Sequence, residues 1–166
     1  PWLQINLLTA FLAAFVVGIF EDTIARFTAL AVLLPVVAGQ SGNTGAQALA
    51  VVMRGLALRD IRPSQWLRVT LKESSVALAN GVAVAVTTCT AVYLWSGSMG
   101  LTMVIGVSMV VSMVMAGFSG AIIPIILRSL KQDPAQSSSI ILTTVTDVAG
   151  FFSFLGLATI FSSFLE

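Results

Sequence analysis

A single aspartate, Asp147, lies in the middle of the last apolar stretch of the chain, residues 138–165. The stretch carries no other charge, and no Lys, Arg or His nearby in sequence can neutralise the carboxylate. A charged side chain at the centre of a bilayer costs at least about 2.5–3.5 kcal/mol. Asp147 must therefore face protein or water, and this requirement constrains the fold more than any other feature of the sequence.

The polar residues of this stretch lie on one side of the predicted helix. At about 100° per residue they share an arc of roughly 100°. The arc contains Ser139, Thr143, Thr146, Asp147 and Gly150. The sequence therefore predicts a helix with one polar stripe that carries an anion.

The composition is typical of a membrane protein. The 166 residues are 57% hydrophobic and only 9% charged, whereas a soluble domain is about 25% charged. The chain has no histidine and one cysteine, Cys89, which excludes an intramolecular disulfide and a Cys/His zinc site. A serine protease would need a histidine base, and an aspartyl protease would need a second acid that only a dimer axis could supply. The sequence thus indicates a protein that is not an enzyme.

Five segments are apolar over about the 20 residues that a helix needs to cross a bilayer. They run from about Leu3 to Phe20, Phe27 to Met53 (interrupted by Pro35), Val76 to Trp95, Leu101 to Leu127, and Ser138 to Leu165. The predicted fold is an all-α membrane protein with five transmembrane helices. Residues 1–166 are expected to form one transmembrane domain, cut from a longer chain, because the sequence opens on Pro1 rather than on methionine.

The basic residues predict the orientation in the membrane. Five of the eight lie between the second and third segments, and Arg128 and Lys131 lie between the fourth and fifth. Only Arg26 falls on the opposite side. By the positive-inside rule the amino end is cytoplasmic and the carboxyl end is outside. We expect a multi-pass protein of the inner (plasma) membrane.

The segment that follows Pro63, SQWLRVTLKES, has two interpretations. It could be a short amphipathic helix at the inner membrane surface, with Trp66 and Leu67 toward lipid and Arg68 and Lys72 toward the headgroups. It could equally be the cytoplasmic start of the third helix. The sequence does not choose between them.

The second segment has an unusual centre, PVVAGQSGNTGAQ, from Pro35 to Gln47. One helical face contains Gly39, Gly42, Asn43, Ala46 and Gln47, and Asn43 reaches the depth of Asp147. Small residues could simply let helices pack closely, with amides bonding across the interface. They could also expose backbone carbonyls and make room for a hydrated ion. The combination with an unpaired carboxylate favours an ion path over packing alone.

Several counter-charges could serve Asp147. With no basic residue inside the membrane, a bound cation or a proton is the natural choice. Oxygen ligands without Cys or His favour a hard cation such as Mg²⁺, which dehydrates reluctantly and keeps most of its water. A proton- or Na⁺-coupled carrier remains an alternative. So does a structural aspartate held by Thr143, Thr146 and Asn43.

Two separated motifs resemble the MgtE family of magnesium channels, the bacterial relatives of eukaryotic magnesium transporters of the solute-carrier class. The first is P-x-x-x-G-Q-S-G-N-T-G-A-Q, followed by VVMRGLALRDI. The second is Asp133-Pro-Ala ahead of Thr143-Thr144-x-x-Asp147-x-x-Gly150. The resemblance covers essentially the whole chain. It departs at Ser137-Ser138-Ser139, near which the family often has a proline.

The resemblance implies a homodimer with one pore on the two-fold axis, lined by the second and fifth segments of both subunits. The selectivity-site aspartate of the family maps onto Asp147, so two copies would face one hydrated Mg²⁺, the transported and bound ion. The resemblance also implies a cytosolic regulatory domain with a CBS pair, outside this chain. The expected pore-lining positions are Ser139, Thr143, Thr146, Gly150, Gly39, Gly42, Asn43, Gly45 and Gln47.

Overall fold

The computed structural model describes residues 2–165 (for Trp2 and Gln136, the backbone alone). This part of the chain is all-helical, as predicted. It contains α1 (Trp2–Ile19), α2 (Glu21–Arg26), α3 (Ala29–Ala57), α4 (Trp66–Ser96), α5 (Met99–Ser129) and α6 (Pro134–Ile160), with 3₁₀ turns at Pro63–Gln65 and Ser162–Phe164.

Helix α5 is the centre of the bundle. It packs against α3, α4 and α6, and α6 also packs against α3 and α1. Large side chains with no exposed surface, including Ile105, Met109 and Phe154, fill the space between these helices. The central position of α5 explains why its sequence is apolar around most of its circumference, whereas α3 and α6 each keep a polar side.

Local sequence signals set three of the helix boundaries. Gly97 adopts φ 66° just after α4, a left-handed conformation that glycine takes without strain. The hydroxyl of Ser98 then accepts a hydrogen bond from the Leu101 N–H and caps α5. At the start of α6 the Ala135 N–H donates to Oδ1 of Asp133 at 3.0 Å, and Pro134 occupies the first turn. Asp133 is therefore the N-cap of α6, and its carboxylate is hydrogen-bonded to the first turn of that helix.

Two helices are longer or more regular than the sequence predicts. Helix α4 begins at Trp66 instead of near Val76, and it continues without a break to Ser96. The segment after Pro63 is thus the start of this helix and does not form a separate surface helix. Helix α3 runs through Pro35 without interruption. Pro35 lies in the second turn with its ring exposed, so it removes one hydrogen bond but does not end the helix.

Three of the helical segments within the described residues are long and apolar enough to cross a membrane. They are Pro63–Ser96, Met99–Ser129 and Ser137–Ile160. Helix α1 is apolar but shorter over Leu3–Ile19. Helix α3 is long, but glycine and amide residues dilute its apolar character between Gly39 and Gln47.

Candidate functional site

Helix α3 has two faces with different surroundings. We call the first the packed stripe; it is buried and consists of Leu30, Leu33, Val37, Ser41, Gly45, Ala48, Val52 and Gly55. We call the second the open stripe; it consists of Gly39, Gly42, Asn43, Ala46 and Gln47, all exposed except the half-buried Gly42. A Cβ added at Gly39 or Gly42 would meet no atom within 4 Å. The open stripe is therefore uncovered by the chain's own helices.

Helix α6 divides its polar residues in the same way. Ser139 and Thr143 are exposed and Asp147 is partly exposed, at successive intervals of four residues. Thr146 is only 1% exposed, and Gly150 is buried. The single polar arc predicted from the sequence is thus split between an uncovered edge and an edge that packs against α3.

The contacts between α3 and α6 fix their relative register. A Cβ at Gly45 would lie 3.0 Å from Cδ1 of Leu142 and 3.3 Å from Cγ2 of Thr146. A Cβ at Gly150 would lie 3.5 Å from the Ser41 hydroxyl. The two helices are therefore antiparallel. Asn43 falls between Ser41 and Gly45, so it lies at the level of Asp147, as the sequence predicts.

The Asp147 carboxylate forms no hydrogen bond or ion pair with any described residue. Its helix contains no Lys, Arg or His. The alternative that Thr143, Thr146 and Asn43 hold a structural aspartate therefore has no support from the contacts within one chain. A partly buried anion without a partner requires a counter-charge from outside the chain.

The hydroxyl groups of Thr143 and Thr146, on the same helix as Asp147, are oriented so that their oxygens can accept hydrogen bonds. Thr143 Oγ1 donates to the Ile140 carbonyl at 3.0 Å, and Thr146 Oγ1 donates to the Thr143 carbonyl at 3.1 Å. Because their protons are used by the helix backbone, their oxygen lone pairs remain available. The exposed oxygen of Thr143 can receive hydrogen bonds from the water shell of a cation, whereas that of Thr146 lies on the edge that packs against α3.

One chain offers Asp147 as a single acidic ligand. The described residues contain no group of three or more His, Cys, Asp or Glu side chains that could hold a metal ion. A cation beside Asp147 would thus take most of its ligands from water or from another copy of the chain. This donor set fits Mg²⁺, which usually keeps several waters and binds through one or two carboxylates.

The predicted pore-lining residues therefore separate into two groups. Ser139, Thr143, Gly39, Gly42, Asn43 and Gln47 lie on uncovered surfaces. Gly45, Thr146 and Gly150 make packing contacts between α3 and α6. Gly45 lies about 120° around the helix from Gly39, so the two cannot share one face.

Sequence reasoning missed a second acid, Glu73. Glu73 falls in the charged connection between the second and third predicted segments, but α4 already includes it and buries it to 8% exposure. A signal was present in the spacing: Thr70, Glu73, Ala77 and Gly81 recur at three- and four-residue intervals, as on the packed face of a helix.

Comparison with known families and proteins agrees with the motifs. A model of the MgtE family, described as a divalent cation transporter, matches residues 34–157. The chain is 34% identical over 161 residues to the magnesium transporter MgtE of Bacillus subtilis (strain 168). It is 38% identical over 157 residues to that of Thermus thermophilus, and 30% identical over 161 residues to that of Enterococcus faecalis.

These alignments cover nearly all of this chain but a small part of the relatives. They include 97%, 95% and 97% of the chain, and 36%, 35% and 36% of the three relatives respectively. The chain thus spans about a third of the length of the curated relatives it matches. The family resemblance predicted from the two motifs is confirmed.

Proposed function

Because the chain belongs to the MgtE family of divalent cation transporters, and is therefore a multi-pass membrane protein of a transporter family, we propose that it is the pore domain of a Mg²⁺-selective channel. Hydrated Mg²⁺ would pass through a pore on the two-fold axis of a homodimer. Helices α3 and α6 of both subunits would line this pore. Each subunit would cross the membrane five times, through α1, α3, α4, α5 and α6.

The observation that carries this proposal is the pair of uncovered polar surfaces on α3 and α6. Both occur at the same level of the bundle, and one of them holds the unpartnered carboxylate of Asp147. A polar surface of this kind cannot face lipid without a large cost. A second copy of the chain, placed against both helices, would enclose these surfaces around water and ions.

Symmetry supplies the selectivity. Two Asp147 carboxylates about the axis would form a site of charge −2, which one divalent cation neutralises and one monovalent cation neutralises only by half. The retained water shell of Mg²⁺ would be recognised by its size and by hydrogen bonds to oxygens such as those of Thr143 and Ser139. Gly39 and Gly42, which project no side chain, would leave room for the hydrated ion.

The basic residues support a single inner face. Since α3 and α6 are antiparallel, the last turn of α3, with Arg54, lies at the same end of the bundle as the start of α6. Lys131 immediately precedes that start, and Arg68 lies in the first turn of α4. This end would face the cytoplasm. In the whole protein a cytosolic regulatory part with a CBS pair would continue from this face, in keeping with relatives almost three times as long.

The experiment that tests the proposal is Mg²⁺ flux into proteoliposomes containing the full-length protein. We compare wild type with Asp147→Ala and Asp147→Asn, and use Asp60→Asn as a matched control because Asp60 is an exposed loop aspartate. The channel proposal expects flux near background in both Asp147 variants and wild-type flux in the control. Undiminished flux in both Asp147 variants, with dimers intact, would contradict it.

The same vesicles separate a channel from a coupled carrier. A channel gives flux that follows the membrane potential and is indifferent to an imposed proton or Na⁺ gradient. Flux that requires such a gradient at zero potential would favour the carrier. Flux retained by Asp147→Asn would instead favour a structural aspartate.

A further inference from the structure

A cavity, which we call the wedge, lies between α3 and α4. It forms because both helices pack closely against α5 at two neighbouring glycines. A Cβ at Gly117 would collide with the Ala77 methyl group and lie 3.1 Å from the Glu73 carbonyl oxygen. A Cβ at Gly120 would collide with the Gly45 carbonyl oxygen. The two glycines, three residues apart, thus bring α4 and α3 onto one side of α5. Helices α3 and α4 make few direct contacts with each other.

The lining of the wedge is mixed, with four residues that carry side-chain oxygens and five, Ala48, Val51, Val76, Ala77 and Gly117, that do not. Its volume is about 120 Å³, and its polar lining is Glu73 and Asn80 from α4 with Thr44 and Gln47 from α3. Since one water fills ~30 Å³ of the liquid, the space holds several water molecules. The lining offers one carboxylate, two amide oxygens and one hydroxyl oxygen, which is the donor set of a hard cation.

The Glu73 carboxylate lacks a strong partner. Its side chain is 9% exposed and accepts no hydrogen bond from the described residues. Its one ion pair is with Lys72 at 3.7 Å, and the Lys72 side chain is 72% exposed. Ion pairs to such exposed lysines contribute about 0–1 kcal/mol, which does not offset the burial of a charge. Thr70 and Ser74, one turn before and one residue after Glu73, also have buried hydroxyls without a hydrogen-bond partner.

We propose that the wedge is a second cation site, which binds one partly hydrated divalent cation between α3 and α4. Glu73 neutralises half of its charge directly, and the Gln47 and Asn80 amides and the Thr44 hydroxyl bind it through oxygen. The site differs from the ion path at Asp147 in its carboxylate, which is Glu73 of α4, and it shares one residue, Gln47, with the open stripe. A bound ion would hold α4 against the helix that carries the open stripe.

The test is Mn²⁺ binding to the full-length protein in detergent, measured by the free-Mn²⁺ electron paramagnetic resonance signal. Asp147→Asn serves as the parent, so the result does not depend on the proposed channel function. Adding Glu73→Gln should remove one bound ion per chain. Asn80→Ala, at an exposed position, should weaken that ion roughly tenfold, by the loss of one oxygen contact to a charge. Lys72→Gln, which removes the competing cation, should bind at least as tightly as the parent.

Two results would overturn the proposal. The first is a binding isotherm that Glu73→Gln leaves unchanged, with the melting temperature of the ion-free protein preserved. The second is loss of the ion in Lys72→Gln, which would mean that the pair with Lys72, and not the carboxylate itself, shapes the wedge. If Glu73→Gln does not fold, the Asn80→Ala variant tests the proposal instead. An unchanged Mn²⁺ affinity in that variant also overturns it.

Discussion

Both stripes of α3 contain glycines, but these glycines have opposite surroundings. A Cβ added at Gly45, in the packed stripe, would lie within 3.4 Å of Leu142, Thr146 and the Ala116 carbonyl oxygen. Gly39 and Gly42, in the open stripe, have nothing within 4 Å of an added Cβ. A glycine in the first stripe is required by close packing, and a glycine in the second is not required by any contact within the chain. Small residues alone therefore do not distinguish a helix interface from an ion path.

On helix α6 two threonines, Thr143 and Thr146, differ in their surroundings in the same way as the glycines of α3. Thr143 and Thr146 both donate their hydroxyl proton to a backbone carbonyl. Thr143 is exposed, whereas Thr146 lies against α3. What differs is the surface opposite each residue, and that surface determines whether the hydroxyl oxygen can meet an ion.

The largest effect on stability is expected for Gly120→Ala. The new methyl group would collide with the Gly45 carbonyl and lie 3.0 Å from the Ala48 Cβ, and these atoms belong to backbone and first side-chain carbon, which cannot turn away. We expect a loss of about 1–3 kcal/mol of unfolding free energy, from forced separation of α3 and α5. This corresponds to a melting temperature roughly 2–12 °C lower in detergent.

Gly42→Ala is the matched control for that measurement. The open stripe has space for the methyl group, and alanine is favoured over glycine in a helix by up to about 1 kcal/mol. Its melting temperature should therefore equal or exceed that of wild type. A fall as large as that of Gly120→Ala would show that the open stripe is packed against something in the intact protein.

The next effect concerns transport. Gly42→Leu should leave the single-chain packing intact but place a large apolar side chain at the proposed pore. We expect Mg²⁺ flux into proteoliposomes to fall at least about tenfold, which corresponds to 1.4 kcal/mol of added barrier. Val86→Leu, at an exposed apolar position of α4, which does not line the proposed pore, is the control and should conduct normally. Normal flux in Gly42→Leu would remove the open stripe from the ion path.

Much of the fold could be predicted from the sequence, because long apolar runs separated by polar or charged connections define α1, α3, α5 and α6 to within a few residues. The start of α4 could not be predicted, because Arg68, Lys72 and Glu73 resemble the charged residues of a loop. Of these three residues only Glu73 is buried, and its burial depends on Gly117 of α5, more than forty positions away in the chain. Local patterns carry no information about such a partner.

The level of the candidate site in the bundle could be predicted from the sequence. Which of its residues are covered by a neighbouring helix could not. Asp147 and Asn43 lie at one level, as the helical spacing requires. The sequence places Thr146 in the same polar arc as Thr143, and only the register of Gly45 against Leu142 and Thr146 shows which edge of the arc is covered. A polar arc about 100° wide is broad enough to serve a packing contact and an open surface together.

A smaller effect on stability is expected for Gly45→Ala. The added methyl group would lie 3.0 Å from Cδ1 of Leu142, the end of a flexible side chain, so a modest shift can accommodate it. The gain in helix propensity offsets part of the strain. We expect a net loss of no more than about 1 kcal/mol, or roughly 2–4 °C in melting temperature. A loss equal to that of Gly120→Ala would mean that α6 cannot move relative to α3.

The smallest effect separates the two threonines of α6. Thr143→Val removes an exposed oxygen that would accept a hydrogen bond from the water shell of the ion, a contact of about 0.5–1.5 kcal/mol, so Mg²⁺ flux should fall roughly two- to tenfold. Thr146→Val removes an oxygen that faces α3, and its flux should stay within twofold of wild type. Both substitutions preserve shape, so both proteins should dimerise alike. Equal flux losses would place the Thr146 edge in the ion path and require α6 to rotate away from α3 when the pore conducts.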